Sequence, residues 1–391
     1  MLAHALRKRA PAIAVTVYDR DASPTARAQG YEIGLNADGL AGLDTVAFPA
    51  LEAYLAKRDR QLTGFAVTNE LLKPLAILGG SARLAPRSAV VNRAELRNVL
   101  TEGVDLRWNK RCIRYELAPS ATPDAPDDGS GVTLHFEDGT TATADVAVIA
   151  NGARSELARQ RCPQLEVEPV PVINTTAAAP TYPTAATHPL LAQLLETNLV
   201  RVLGPHGYTF LLIPHRLPDT TERQVLWVLT QPAANDVPTE AAALVQQAAD
   251  IALHHFHPEL HALIASTPPE LVLLGFRNLV SAVPKGSDLL APANAVTMLG
   301  DAVHPMTTHG GLGANTAIQD AIDLADALVA PDWRAAIDVY QRKMLQRGYA
   351  NVKGSLRSTL TITDASIFGQ YKRSAIFWTI GRIMALMRLI P

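Results

Sequence analysis

Residues 298–328 read MLGDAVHPMTTHGGLGANTAIQDAIDLADAL, and this stretch decides the fold. It opens on an apolar strand that ends on an acid, Asp301. A proline-containing turn follows, then glycines at 310, 311 and 313, then a helix whose Ala314, Ala317, Ile318, Ala321, Ala325 and Leu328 share one face. A carboxylate at a strand end can accept hydrogen bonds from the hydroxyls of a sugar alcohol. Glycines let backbone amides approach a flat ligand with no Cβ in the way. The helix N-terminus beyond them favours partial negative charge by about 0.3–1 kcal/mol. Composition alone leaves two readings open: a ligand cradle, or a tight strand-to-helix connection that merely needs glycine.

A reduced flavin, whose N1–C2=O edge becomes anionic, suits such a cradle. The segment closely resembles the flavin-ribityl motif of the FAD-dependent aromatic hydroxylase superfamily, the para-hydroxybenzoate hydroxylase-like group A monooxygenases, near the tetracycline-inactivating monooxygenases. It departs from that pattern at Thr308, where Pro is usual, and at Leu312, where Gln is frequent. The resemblance implies that Asp301 binds the ribityl chain. It further implies that the backbone of Gly311, Gly313 and Ala314 meets the isoalloxazine edge, with Pro305 beside the ring.

Three further stretches agree in order and spacing. "TVYDRD" (16–21) ends a strand on Asp19, and a carboxylate there can accept from both ribose hydroxyls of an adenosine. "GYEIGLNADGL" (30–40) is similar to the family's flavin-side loop, with Gly34 approaching the cofactor. "VVNRAELRNVL" (90–100) is similar to its FAD-contacting helix. Asn92 is a helix N-cap with Glu95 three residues on. Arg93 and Arg97 stand four apart on one face, where they can clamp a pyrophosphate, shield a flavin, or simply be solvated. "DVAVIANGARSELAR" (145–159) resembles the family's Asp-Gly motif, with Asn151 replacing the acid ahead of Gly152 and weakening any link to Arg154 or Arg159.

One element is expected and not found. A Gly-x-Gly-x-x-Gly phosphate turn belongs roughly 20 residues before the acid at the second strand's end, and Asp19 is too close to Met1 for that. The expectation is an N-terminally truncated Rossmann-like domain, through a clipped reading frame or genuine loss, poorer in FAD than its relatives.

The fold class expected is α/β: a discontinuous FAD/NAD(P)-binding domain (1–55, 86–165, 286–340), a mixed-sheet α+β substrate domain (56–85, 166–285) and a C-terminal helical segment (341–391). "PVPVINTTAAAPTYPTAATHP" (169–189) has the composition of a linker or domain edge, and "PSATPDAPDDGSG" (119–131) that of a long hairpin loop. Single strands are expected over 12–19 and 141–150. The function expected from the resemblance is insertion of one oxygen atom from O2 into a small organic substrate, with FAD as cofactor and NAD(P)H as co-substrate. The alternatives are a flavin-deficient pseudoenzyme or partner protein, and a flavin-dependent cyclase or dehydrogenase. No catalytic side chain is assignable.

Bulk properties agree with a globular enzyme. The 391 residues are 48% hydrophobic and 18% charged, too apolar for disorder. A formal net charge of −2 gives no electrostatic footprint for nucleic acid. Cys112 and Cys162 form no disulfide framework, and residues 2–9 have the wrong order for a secretory leader, so a cytoplasmic setting is expected. Asn174-Thr-Thr is a formal glycosylation sequon. "HHFHPELH" (254–261) gathers histidines that Pro258 divides, so a polar helix junction is expected there and no metal. His304 and His309 are expected to face the ring or the substrate. The closing stretch 374–391 reads as a helix packed on the body, with a membrane-surface contact as the lesser reading, because Arg382 and Arg388 interrupt its apolar run.

Overall fold

The computed structural model describes residues 1–26, 31–57, 64–79, 88–118, 131–216, 222–233, 237–281 and 295–387. The loop expected over 119–131 lies almost wholly outside them, as do the expected domain boundaries at 85/86 and 285/286.

A seven-stranded sheet takes all its strands from residues 64–79 and 167–281. Its order is Val272–Ser281, Val167–Ala179, Arg223–Pro232, Thr209–Arg216, Asn198–Leu203, Gly64–Thr68 and Pro74–Gly79. Neighbours are antiparallel except Asn198–Leu203 against Gly64–Thr68. Alternation sets its two faces. Val200, Val202, Phe210, Leu212, Trp227 and Leu229 point one way and form a core under the helices Ala241–His255 and Pro258–Ala265. Arg201, Thr209, Thr230 and Asn174 point the other way.

Residues 169–189 are not a linker. Most of their first half belongs to Val167–Ala179, a thirteen-residue strand second in the sheet. Its prolines hid it: Pro169 and Pro171 fall where the register against Val272–Ser281 slips, between Pro169 and Ile173. A residue without an amide is tolerated at such a bulge. Beyond it Val172 to Ala179 are buried without interruption.

The remaining sheets are small. Thr16–Tyr18 pairs in parallel with Asp105–Arg107, and Ala147–Ile149 with Val296–Met298. Cys112–Leu117, Val132–Phe136 and Thr141–Ala144 form an antiparallel meander. The strand expected over 12–19 is therefore only three residues long. The strand expected over 141–150 is two: the chain leaves the meander at Asp145 and enters the buried parallel pair at Ala147. Glu32–Leu35 pairs with Ala89–Asn92, and Glu32 Oε1 lies 2.6 Å from His215 Nδ1, which fixes this pair to the large sheet.

The helix Gly313–Leu328 is the hub. Ile318, Ala321 and Ala325 are buried, as its periodicity predicts. The helix Ala37–Thr45 comes so close that a Cβ on Gly42 would stand 2.5 Å from Ile318 Cγ2. On its other side runs Trp333–Ile362, capped by Asp332 accepting from the Ala335 amide and continuous across the 340/341 boundary expected from sequence. The last helix, Ile367–Met387, packs along Pro74–Gly79.

Candidate functional site

The strand Val296–Met298 delivers the chain to Gly300, whose φ of +61° lies in the left-handed region where glycine is favoured. The Gly300 amide donates to Asp320 Oδ2 at 3.1 Å. His304 Nε2 donates to the same oxygen at 2.7 Å, and His304 and Asp320 are both fully buried. Arg347 spans Asp320 Oδ1 at 2.8 Å and Asp323 Oδ2 at 2.7 Å. Gly348 makes room for this: a Cβ there would stand 2.4 Å from the His304 ring. His304 therefore serves a buried network that fixes the turn.

Asp301 itself is solvent-exposed, yet the surrounding protein pushes its carboxyl pKa up, against the opposing pull of His304 and Arg93. Beyond Asp301, Gly311 turns at φ +60°, with nothing within 4 Å of where its Cβ would be, and the same space surrounds Gly34. Asn315 ties these two glycines together. Its Nδ2 donates to the carbonyls of Gly34 at 3.0 Å and Gly311 at 2.7 Å, while its Oδ1 accepts from the Asn36 amide at 3.0 Å. Gly39 is small for the same reason, since a Cβ would fall 2.0 Å from Asn315 Oδ1. The helix Gly313–Leu328 has no side-chain cap, so the amides of its first turn take no side-chain partner there.

Asp19 directly follows the strand Thr16–Tyr18. Its Oδ1 accepts from the Asp21 amide at 2.9 Å and its Oδ2 from Arg97 Nη2 at 2.9 Å. Arg97 also reaches Asp21 at 3.2 Å and lies 5.0 Å over the Trp108 ring. Arg93 lies 5.6 Å over the Tyr31 ring and acts electrostatically on Asp301. Four residues of the helix Arg93–Thr101 separate the two arginines by about 6 Å, with Arg97 holding the strand-end acid and Arg93 serving the Asp301 end. Asn92 caps that helix as expected, accepting from the Ala94 and Glu95 amides.

The large sheet presents a polar rung. Thr209, Thr230 and Asn174 are opposite one another in register. Asn174 Nδ2 donates to Thr308 Oγ1 at 3.1 Å, and Thr230 Oγ1 lies 2.9 Å from His309 Nε2. His309 Nδ1 meets Thr359 Oγ1 at 2.9 Å. Burial, then the charge of Arg201, push the His309 pKa down to about 3, so the ring bridges two hydroxyls in its neutral form. Asn174 is 1% exposed, which closes it to glycosylation. Arg201 completes the group. It is 6% exposed, donates to Thr209 Oγ1 at 3.1 Å, and has no carboxylate partner among the described residues. Burial pushes its pKa down to about 10.

A family model described as FAD binding domain matches residues 292–355. An FAD-dependent monooxygenase of Trichoderma harzianum is 25% identical over 90% of this chain and 88% of its own length. The chain is thus similar to FAD-dependent monooxygenases along most of its length. A dual O-methyltransferase/FAD-dependent monooxygenase of Cercospora beticola is 28% identical over 90% of the chain, which spans 43% of that longer protein. Among solved structures, HpxO of Klebsiella pneumoniae, complexed with FAD and uric acid, superposes with a TM-score of 0.79 at 18% identity, covering 97% of this chain and 90% of its own, which shows the shared fold.

FAD is what the matched family model binds and what the superposed HpxO holds, and the residues here fit it. The open glycines, the uncapped helix start and an accessible acid at either end match a dinucleotide. Pro305 is buried behind the loop, and Gly313 and Ala314 lie half-buried at the helix start. Gly152 turns at φ +87°, while Asn151, Arg154 and Arg159 are exposed. Of the clustered histidines, His257 caps Pro258–Ala265 by accepting from the Glu259 amide, and His255 stacks on Tyr208.

Asn315→Ala removes the tie between the two glycine loops. Its loss leaves Gly34 O, Gly311 O and Asn36 N without this partner, at about 1–3 kcal/mol of stability, and FAD binding should weaken with it. Thermal unfolding with and without FAD checks this: an unchanged gap between the two midpoints would show that the tie does not shape the site.

Proposed function

We propose that this chain is an oxygenase unit that takes one oxygen atom from O2 into a small organic anion, with NAD(P)H as reductant and residues 56–85 and 166–285, which hold the seven-stranded sheet, as its substrate body. The observation that carries this reading is Arg201. A buried guanidinium without a carboxylate costs several kcal/mol, and this one lies beside the flavin-binding loop, where an anionic substrate offsets that cost. Relatives named FAD-dependent monooxygenases support the reaction class.

FAD, when bound, supplies the electron transfer and the oxygen chemistry. The chain's own residues bind and orient. Asp301 accepts from the ribityl hydroxyls, and Asp19, held by Arg97, accepts from the adenosine ribose. The open amides of Gly313 and Ala314 favour negative charge on the flavin edge. His309, neutral and bridged between Thr230 and Thr359, holds the loop on the sheet without adding a second positive charge beside Arg201.

The test is oxygen uptake in the presence of FAD and NAD(P)H against a panel of phenols and aromatic acids, with labelled O2 traced into product. Arg201→Gln should raise KM for an acidic substrate by roughly 10- to 100-fold, the range of a charged hydrogen bond, and leave KM for its neutral ester unchanged. Equal effects on both would overturn the anion reading. Label found only in water would overturn oxygen insertion.

A further inference from the structure

Ile367–Met387 is a helix whose exposed side is more apolar than a free surface requires. Every fourth residue of one stripe faces the body. Gly369 is buried, and Arg373 donates to the carbonyls of Ile362, Asp364 and Gly204. Phe377 packs with Val67, Ala76 and Leu203. Gly381 sits so close to Pro74–Gly79 that a Cβ would fall 2.3 Å from the Leu75 carbonyl oxygen. The opposite stripe carries Phe368 at 77% exposure, Tyr371 at 75%, Trp378 at 52%, Ile383 at 51% and Leu386 at 64%. Along its first half Phe368, Tyr371, Ala375, Ile376 and Thr379 line an open apolar patch.

Charge says what fits this face. Residues 367–387 contain no Asp or Glu, and both exposed cations, Lys372 and Arg382, stand within the apolar stripe. Arg382 lies 5.1 Å over the Trp378 ring. A second copy of the helix, antiparallel about residue 377, would set Lys372 against Arg382. A parallel copy would set each against itself. Neither arrangement offers a carboxylate. An anionic lipid surface complements the whole face: phosphates meet the two cations, aromatic rings settle at headgroup depth and Ile383 and Leu386 enter the acyl boundary. No helix among the described residues is long and apolar enough to cross a membrane, which leaves contact in the plane of the surface.

We infer that Ile367–Met387 is a peripheral docking helix for anionic membranes, with Phe368, Tyr371, Trp378, Ile383 and Leu386 as its inserting side chains and Lys372 and Arg382 as its headgroup contacts. It packs on the opposite edge of the sheet from the strands Val167–Ala179 and Val272–Ser281, so a chain docked this way keeps its oxygenase site whether or not the proposed reaction is right.

The experiment is flotation of the full chain with vesicles of phosphatidylcholine, with and without phosphatidylserine. Binding is expected to the phosphatidylserine vesicles alone and to weaken as salt rises. Tryptophan emission should shift to the blue, quenched by brominated acyl chains, and Trp378→Phe should abolish the quenching. Lys372→Gln with Arg382→Gln should weaken binding roughly thirtyfold, and Phe368→Ser with Ile383→Ser should abolish it. All these positions are exposed, so unchanged thermal unfolding is expected in each variant and serves as the folding control. Equal binding to neutral vesicles would overturn the charge assignment. No vesicle binding would overturn the inference, and a dimer in sedimentation velocity that Trp378→Ser dissolves would give the face to a second copy instead.

Discussion

Asp301→Ala should cost roughly 10- to 100-fold in FAD affinity while leaving the apo chain as stable as before. The magnitude follows from the loss of charge-assisted hydrogen bonds worth about 1.5–3 kcal/mol, at about 1.4 kcal/mol per decade. The separation of binding from folding follows from geometry. Asp301 is exposed, while the turn beneath it is held by Gly300 and Asp320, which the substitution does not touch. Titration by flavin fluorescence gives the affinity, and thermal unfolding without FAD gives the control. Tight binding in the variant would remove Asp301 from the site.

The same residue predicts a pH dependence. Burial raises the Asp301 pKa above its ordinary 3.8, so the folded chain takes up a proton there more readily than the unfolded one. A protonated carboxyl loses acceptor strength toward the ribityl hydroxyls. FAD affinity should therefore rise with pH through this raised pKa and level off above it, and the Asp301→Ala profile should lack that step.

What could be read from the sequence was what is local. The Asp301 turn, the glycines and the helix after them are contiguous, so one segment carries both their chemistry and their spacing. The cap at Asn92 and the break at Pro258 were legible for the same reason. Arg93 and Arg97 were legible as a pair on one face, but their separate contacts depend on Asp21, Trp108 and Tyr31, which only the fold brings alongside. The rung of Asn174, Thr230 and Thr209 comes from three strands paired over long separations, and no periodicity within one strand announces it. Asn174 invited a glycosylation reading because a sequon is local and burial is not. Arg201 sits between Val200 and Val202 as an ordinary polar residue of an alternating strand. Its significance lies in lacking a carboxylate, which is a property of the whole neighbourhood. The prolines at 169 and 171 are local signals that pointed the wrong way, because the bulge that tolerates them is a tertiary feature.

Asp320 should be the most damaging single position in the site to alter. It is fully buried and takes hydrogen bonds from the Gly300 amide, His304 and Arg347 at once. Asp320→Ala leaves those donors facing a dry gap and Arg347 short of its buried counter-charge. Breaking a buried pair in this way costs about 3–5 kcal/mol, or roughly 4–6 °C in Tm for a chain of this size. Asp323 supplies the comparison. It also binds Arg347, at 2.7 Å, but its side chain is 37% exposed, and Asp323→Ala should cost no more than about 1 kcal/mol. Asp320→Asn should fall between the two, because Oδ1 still accepts while the charge is gone. FAD affinity should drop in Asp320→Ala as well, and this separates positioning from mere stability. The Gly300 amide is what aims Asp301, so a chain held folded well below its lowered Tm should still bind FAD more weakly. Equal Tm losses for the two aspartates would show that solvent relieves the buried network. Normal FAD binding in folded Asp320→Ala would show that the turn aims Asp301 without Asp320.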